Sequence, residues 1–186
     1  MKIGEFLYFA PGIAFADIDF REKSLPDQYA RRIEGFYLAP ANALVKERHG
    51  FAAGLLIVCA IDALGKVESP DASVGERFKH YCRARLPSFA NEAESRQLYE
   101  LFRNGTVHEA RVKDGTEITF ESGVCVETAP GGIRVNPQYL LEEVRSALFT
   151  QMEEIRNNDD SLKRFKKYLL QQFHTELEGI NTRIQQ

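Results

Sequence analysis

The stretch HGFAAGLLIVCAIDALGK, from His49 to Lys66, decides the fold. It is apolar on nearly every face when its residues are placed at helical intervals around an axis. A helix of this kind is buried by other helices, so the sequence predicts a helix at the centre of a bundle. Its most apolar window, residues 51–64, has about fourteen residues, which is too short to span a bilayer.

Asp62 is the exception within this apolar stretch. Burying a carboxylate is unfavourable unless the group is paired or hydrogen-bonded. Two interpretations are open. Asp62 either orients Arg103 or His108 in a binding site, or it occupies the one solvent-facing edge of the helix.

Apolar residues at helical spacing predict further helices on both sides of this stretch. The first begins after Pro26 with Asp27 as its N-cap, and Pro40 kinks or divides it because proline lacks a backbone donor. Asn136-Pro137 begins another helix, with proline at the first helical position. The remaining predicted elements are helices over about 71–85 and 91–110, a helix from about 160–161, and an extended N-terminal arm with short strands over 1–25.

The pattern changes between residues 110 and 136. Asp114-Gly115 separates two strand-like runs, and this dipeptide favours a type I′ hairpin turn. A second pair of runs, 124–126 and 133–135, flanks Pro130-Gly131-Gly132. We therefore expect a mainly α fold: a bundle of five or six helices with a small antiparallel β-hairpin insertion. The helices at 49–66 and 91–110 should form a central antiparallel pair, and the Asp114-Gly115 hairpin should project from the bundle.

The run LFRNGTVHE, from Leu101 to Glu109, concentrates the chemistry of the chain. The imidazole of His108 can transfer protons near neutral pH. The guanidinium of Arg103 can stabilise charge on phosphate oxygens, and Asn104 offers an amide beside it. These groups suit metal-independent attack on a phosphodiester, so Arg103, Asn104 and His108 are the candidate catalytic residues.

This Arg-Asn-x3-His pattern in a helical context resembles the signature of the HEPN superfamily. Its motif is an arginine, usually followed by a polar residue, with a histidine four to six positions beyond the arginine. The resemblance implies a helical bundle, a homodimer with a composite cleft, and endoribonuclease activity without a metal. His108 would then act on the RNA 2′-hydroxyl, Arg103 would stabilise the pentacovalent phosphate, and Asn104 would hold the imidazole or the phosphate. RNA and an antitoxin-like protein are the partners that the resemblance suggests.

The spacing of the motif raises a geometric problem. Residues five apart on a regular helix point roughly 140° apart, so Arg103 and His108 should not converge on one phosphate. Either the long arginine side chain folds back, helped by distortion at Gly105, or two copies of the chain meet along this helix. In the second case Tyr99, Phe102 and Gly105 would pack against the other copy. The candidate binding residues around the motif are Asp62, Tyr99 and Gly105.

Composition limits the function classes. The 186 residues favour a single domain, 1–186. The net charge of −3 gives no bulk basic field for nucleic acid, so any RNA contact needs a local basic patch. Such a patch could come from either of two clusters: Arg77, Lys79, Arg83, Arg85, Arg96 and Arg103, or Lys163, Arg164, Lys166 and Lys167.

Other features of the sequence exclude several classes. The three cysteines do not have the spacing of a metal site, so we expect no metal and no cofactor. An odd number of cysteines also favours a reducing, cytoplasmic location. We expect no signal peptide and no membrane span. The chain lacks a Gly-x-Ser-x-Gly elbow, a P-loop and a dinucleotide fingerprint. Two alternatives to a nuclease stay open: a non-catalytic RNA- or nucleotide-binding module, and a helical protein-interaction module.

Overall fold

The structure is a computed structural model, and it describes residues 2–3, 6–109, 111–113 and 115–178. The protein is mainly α-helical with a small antiparallel strand pair, so the predicted fold class is confirmed. Contacts divide the chain into two compact units. One unit comprises 1–36 together with 149–186, and the other comprises 37–148.

The first unit is built around aromatic side chains. Its antiparallel strands, in the order β1-β2-β3, correspond to the short strands predicted for the N-terminal arm. The Phe9 ring packs edge-on against Phe15, Phe20 and Phe173, with centroids 5.3, 6.0 and 5.6 Å away. The arm therefore contributes to a hydrophobic core. The elements are β1 (Lys2–Ile3), β2 (Phe6–Ala10), β3 (Ile13–Ala14), α1 (Leu25–Ile33) and α8 (Asp159–Gln172).

Both helices predicted in this unit are present, and each begins slightly before its predicted start. Helix α1 begins at Leu25 with Ser24 at the N-cap position, so Asp27 lies in the first turn, where its charge favours the helix dipole. Helix α8 begins at Asp159, because the Asn158 side chain accepts a hydrogen bond from the Ser161 backbone at 2.9 Å. The local sequence indicated each helix, but more than one residue could serve as its cap.

The second unit contains the predicted buried helix, α3 (Gly50–Glu68). It packs most extensively against α2 (Ala39–Lys46) and α4 (Val74–Arg85). The predicted central pairing of α3 with the 91–110 segment is therefore wrong, although Phe102 of that segment lies directly against Gly54. A π-helical segment, Glu34–Leu38, interrupts the α-helical pattern just before Pro40, where the sequence predicted a kink or a division of the first helix.

Helix α3 is longer than its most apolar window and, by length and composition, long enough to cross a membrane. The length argument against a span is thus wrong. Half of the apolar window is buried by the protein itself, and core helices meet the same length criterion. Its packing between α2 and α4 matches the predicted core role.

The β insertion is present, but the described residues around Asp114-Gly115 do not form the strand pair predicted there. Asp114 lies outside the described residues, and 111–113 form no strand. The antiparallel hairpin joins β5 (Val126–Ala129) and β6 (Gly132–Val135), with Gly131 at a φ of +81°, so the second predicted pair of runs is confirmed. Strand β4 (Glu117–Ile118) pairs with β6 in parallel.

A competing set of backbone contacts explains the difference. The Arg111 N–H donates to the Gly105 carbonyl at 3.2 Å, and the Lys113 N–H donates to the Leu101 carbonyl at 3.1 Å. These donors serve the end of a helix, so they are not available to a strand partner. The turn preference of Asp114-Gly115 depends only on neighbouring residues, so it does not account for these longer-range hydrogen bonds.

Helix α7 (Pro137–Asn157) begins as predicted. The Asn136 side chain accepts a hydrogen bond from the Gln138 backbone at 3.0 Å, and Pro137 occupies the first helical position. Asn136 also donates to the Ser122 carbonyl at 2.8 Å, which ties the helix start to the β insertion.

Candidate functional site

The candidate site lies on a helical segment with a π-helical middle. The segment consists of α5 (Glu92–Gln97), a π-helical turn (Leu98–Arg103) and α6 (Asn104–His108). The Asn91 side chain caps its start by accepting from the Glu94 backbone at 2.9 Å. In the π turn the Asn104 N–H donates to the Tyr99 carbonyl, five residues back. π-Helical turns are rare overall, and those that do occur are frequently found at functional sites.

Arg103 and His108 converge within one chain. Arg103 Nη1 lies 3.0 Å from His108 Nε2. A second copy of the chain, the route that the HEPN resemblance implied, is therefore not needed to bring them together. The long arginine side chain folds back, which was the other route considered, but the helix is distorted before Arg103 rather than at Gly105.

Asp62 fixes the guanidinium of Arg103. Both Arg103 Nε and Nη2 donate to Asp62 Oδ2, at 2.9 and 2.7 Å. The two side chains are only 12% and 18% exposed, so water screens this ion pair weakly. Of the two interpretations of Asp62, the pairing with Arg103 is the one that the structure shows. The second carboxylate oxygen, Oδ1, is buried without a hydrogen-bond partner among the described residues.

The third guanidinium nitrogen serves two partners. Nη1 donates to Asn104 Oδ1 at 3.0 Å and points at His108 Nε2. Because an arginine nitrogen only donates, Nε2 must be the acceptor. This hydrogen bond corresponds to the tautomer that carries its ring proton on Nδ1. Asp62, Arg103, Asn104 and His108 thus form one connected network.

Tyr99 forms a wall of the site. The Arg103 guanidinium carbon lies 5.6 Å from the centroid of its ring, within cation–π range. Phe78 supports the ring at a centroid distance of 5.4 Å. A cleft of about 540 Å³ opens here, and its lining residues are Val74, Tyr99, Arg103, Asn104, His108, Glu109 and Lys113.

Gly105 has a different role from the predicted one. A Cβ atom here would lie 2.4 Å from the Arg111 carbonyl oxygen, so the close approach is made by the chain's own backbone. Gly105 and Phe102 are both buried, and only Tyr99 of the three residues proposed for a dimer contact is partly exposed. Any surface for a second copy therefore needs residues in addition to Tyr99.

Sequence reasoning missed Val74 and Lys113. Val74 comes from the start of α4, and Lys113 lies beyond the end of α6, where no helical spacing relates it to His108. Ion pairs engage three of the four α4 residues that belong to the first predicted basic patch. Lys79 pairs with Glu76 at 2.8 Å, Arg85 pairs with Glu68 at 3.1 Å, and Arg83 pairs with Glu92.

Cys59 lies one helical turn before Asp62. Partial burial raises the pKa of its thiol, and the nearby Asp62 carboxylate raises it further. The thiol therefore stays protonated at neutral pH and is a poor nucleophile. Within the described residues, no three side chains of His, Cys, Asp or Glu cluster so that they could hold a metal ion.

Comparisons with known proteins give no independent assignment. No protein-family model matches the sequence, no curated protein is significantly similar to it, and no solved structure matches the fold. The function must therefore be argued from the site itself.

Proposed function

We propose that this protein is a metal-independent endoribonuclease of the HEPN type, with Arg103, Asn104 and His108 as its catalytic residues. The observation that supports this is the single guanidinium, held by Asp62, whose Nη1 lies 3.0 Å from both Asn104 Oδ1 and His108 Nε2 in an open cleft. The motif matched residue by residue, and its members are in contact.

The chemistry needs one proton acceptor and one anion stabiliser. His108 Nε2 takes the proton of the RNA 2′-hydroxyl while the 2′-oxygen attacks phosphorus. The bond from phosphorus to the 5′-oxygen breaks, a protonated donor such as the imidazolium returns a proton to that oxygen, and a cyclic phosphate remains. Arg103 stabilises the charge on the phosphate oxygens in the transition state.

The resting hydrogen bonds suggest how substrate would prepare this site. Four Arg103 donors are already used, two on Asp62 and two at Nη1. A phosphate oxygen arriving at Nη1 would replace the neutral acceptors there, since charge-assisted hydrogen bonds are stronger. His108 Nε2 would then be released from Arg103 at the moment when its lone pair is required.

A homodimer belongs to this proposal. The contact between Arg103 and His108 no longer requires one, but a second copy would supply a second imidazole to act as the acid. Val74 and Val107, at 39% and 36% exposed, are apolar residues on the surface beside the motif. Light scattering at micromolar concentration should give the mass of two chains.

The non-catalytic alternative also has an observation in its favour. Most Arg103 donors are satisfied within the protein, as expected of a group that supports the structure. An RNA- or nucleotide-binding module would use the same cleft without turnover.

Cleavage of a mixed single-stranded RNA pool in EDTA tests the nuclease. We expect His108→Ala to lower the rate by about 100-fold or more, because it removes the proton acceptor. Arg103→Lys should be similarly impaired, because lysine lacks the planar fork. The exposed His80 of α4 does not line the cleft, so His80→Ala is the matched control and should cleave normally.

Circular dichroism must show that the variants remain folded. If the wild type leaves the RNA uncut, the nuclease proposal fails. Binding that depends on Arg103 would then favour the non-catalytic module, and no binding at all would favour a protein-interaction module.

A further inference from the structure

The segment after the motif carries a second cation into the cleft. Residues 111–113 cross the end of α6, and backbone hydrogen bonds to the Gly105 and Leu101 carbonyls hold them there. The crossing is close, since even a Cβ atom on Gly105 would collide with the Arg111 carbonyl. The side chain of Lys113 consequently lines the same cleft as Arg103 and His108.

The Glu109 carboxylate forms ion pairs with two cationic side chains here, Lys113 and Arg111. Glu109 Oε1 lies 2.9 Å from Lys113 Nζ, and Glu109 Oε2 lies 3.2 Å from an Arg111 nitrogen. The hydrogen bond from Lys113 lowers the pKa of the Glu109 carboxyl, with Arg111 adding to the effect. The carboxylate is thus charged at neutral pH.

The geometry resembles the way in which two cations hold a phosphodiester. A carboxylate presents two anionic oxygens to two donors, as the two non-bridging oxygens of a phosphate do. We propose that Lys113 is a second phosphate-binding residue of the cleft, and that Glu109 occupies it until RNA binds. This inference rests on the proposed function, because it assigns the Lys113 position to the same RNA substrate.

The exchange is energetically feasible. The side chains of Glu109 and Lys113 are 38% and 33% exposed. Exposed ion pairs contribute little to stability, so a phosphate that also contacts Arg103 can displace Glu109. Glu109 then weakens RNA binding without blocking it, and it disfavours anions that reach only Lys113.

Binding of a short 2′-O-methylated single-stranded RNA, which cannot be cleaved by 2′-hydroxyl attack, tests this inference across a salt series. Each phosphate contact contributes a slope of about 0.7 in log affinity against log salt for single strands. Lys113→Gln should therefore reduce the slope by about 0.7 and the affinity about fivefold at 0.1 M salt. Glu109→Gln should bind about two- to fivefold more tightly, because the competing ion pair is gone.

A matched control comes from an exposed ion pair that does not line the cleft. Arg134 and Glu117 are 2.7 Å apart and 44% and 57% exposed, and Arg134→Gln and Glu117→Gln should bind like the wild type. Wild-type slope and affinity in Lys113→Gln would overturn the inference, as would unchanged binding in Glu109→Gln.

The two levels of the proposal separate cleanly. If Arg103→Lys weakens binding while Lys113→Gln does not, only the assignment of Lys113 is lost. If the wild type does not bind this RNA, the inference is wrong, and cleavage of unmodified RNA decides the proposed function separately.

Discussion

Breaking the Asp62–Arg103 ion pair should destabilise the protein strongly. Asp62 accepts two hydrogen bonds from Arg103, at 2.9 and 2.7 Å, and neither side chain is more than 18% exposed. Removing one partner of a buried pair leaves an uncompensated charge and costs about 3–5 kcal/mol. Because the pair keeps some exposure, we expect the loss of stability in Asp62→Ala to lie near the lower end of this range, at about 3 kcal/mol.

A double-mutant cycle measures the interaction itself. Asp62→Ala is combined with Arg103→Met, which keeps the aliphatic stem of the arginine, and stability is measured by urea unfolding followed by circular dichroism. The coupling energy should be about 2–3 kcal/mol, since hydrogen bonds to charged groups contribute about 1.5–3 kcal/mol each and are partly replaced by water.

The exposed pair Glu117–Arg134 provides the reference cycle. Its distance of 2.7 Å equals the shorter one in the buried pair, but its side chains are 57% and 44% exposed. Its coupling energy should therefore be much smaller than that of the buried pair. Equal coupling energies in the two cycles would refute the argument that burial makes the Asp62–Arg103 contact strong.

Two further predictions concern packing and thiol chemistry. Gly105→Ala should cost about 2 kcal/mol or more in urea unfolding, because its Cβ would meet the Arg111 carbonyl at 2.4 Å. Gly123→Ala, with nothing within 4 Å, is the control and should be near neutral; equal effects would contradict the packing argument. Burial raises the pKa of all three cysteine thiols, so at pH 8 the native protein should react slowly with a disulfide reagent and the urea-unfolded protein rapidly. A fast-reacting native thiol would be inconsistent with this burial. The thiols belong to Cys59, Cys82 and Cys125.

Much of the fold could be predicted because its signals are local. The apolar stretch of α3 and the Asn136-Pro137 start of α7 depend on neighbouring residues, and both are present. The Asp114-Gly115 hairpin was wrong because a long-range contact takes the backbone donors of 111–113. Local turn preference does not include such a contact.

The candidate site also combines features that depend on local sequence with features that depend on long-range contacts. Arg103, Asn104 and His108 were found from their residue types and spacing, and the structure places them in contact. The sequence left open how they converge, because a helical wheel describes a straight α-helix and does not include the reach of a long side chain. Lys113 was missed because only the folded chain brings it beside the motif.

The π-helical turn at Leu98–Arg103 determines where this helical segment can tolerate the deletion of one residue. A π turn closes its hydrogen bond over one residue more than an α turn does. Losing one residue from it would restore an α turn while the flanking segments keep their buried faces. The same loss in α3 would rotate its following residues by about 100° and turn Asp62 or its neighbours away from Arg103. If a relative is one residue shorter in this segment, its alignment gap should fall within residues 98–103. A search that counts a fixed number of residues across that gap would then assign the arginine to the wrong position.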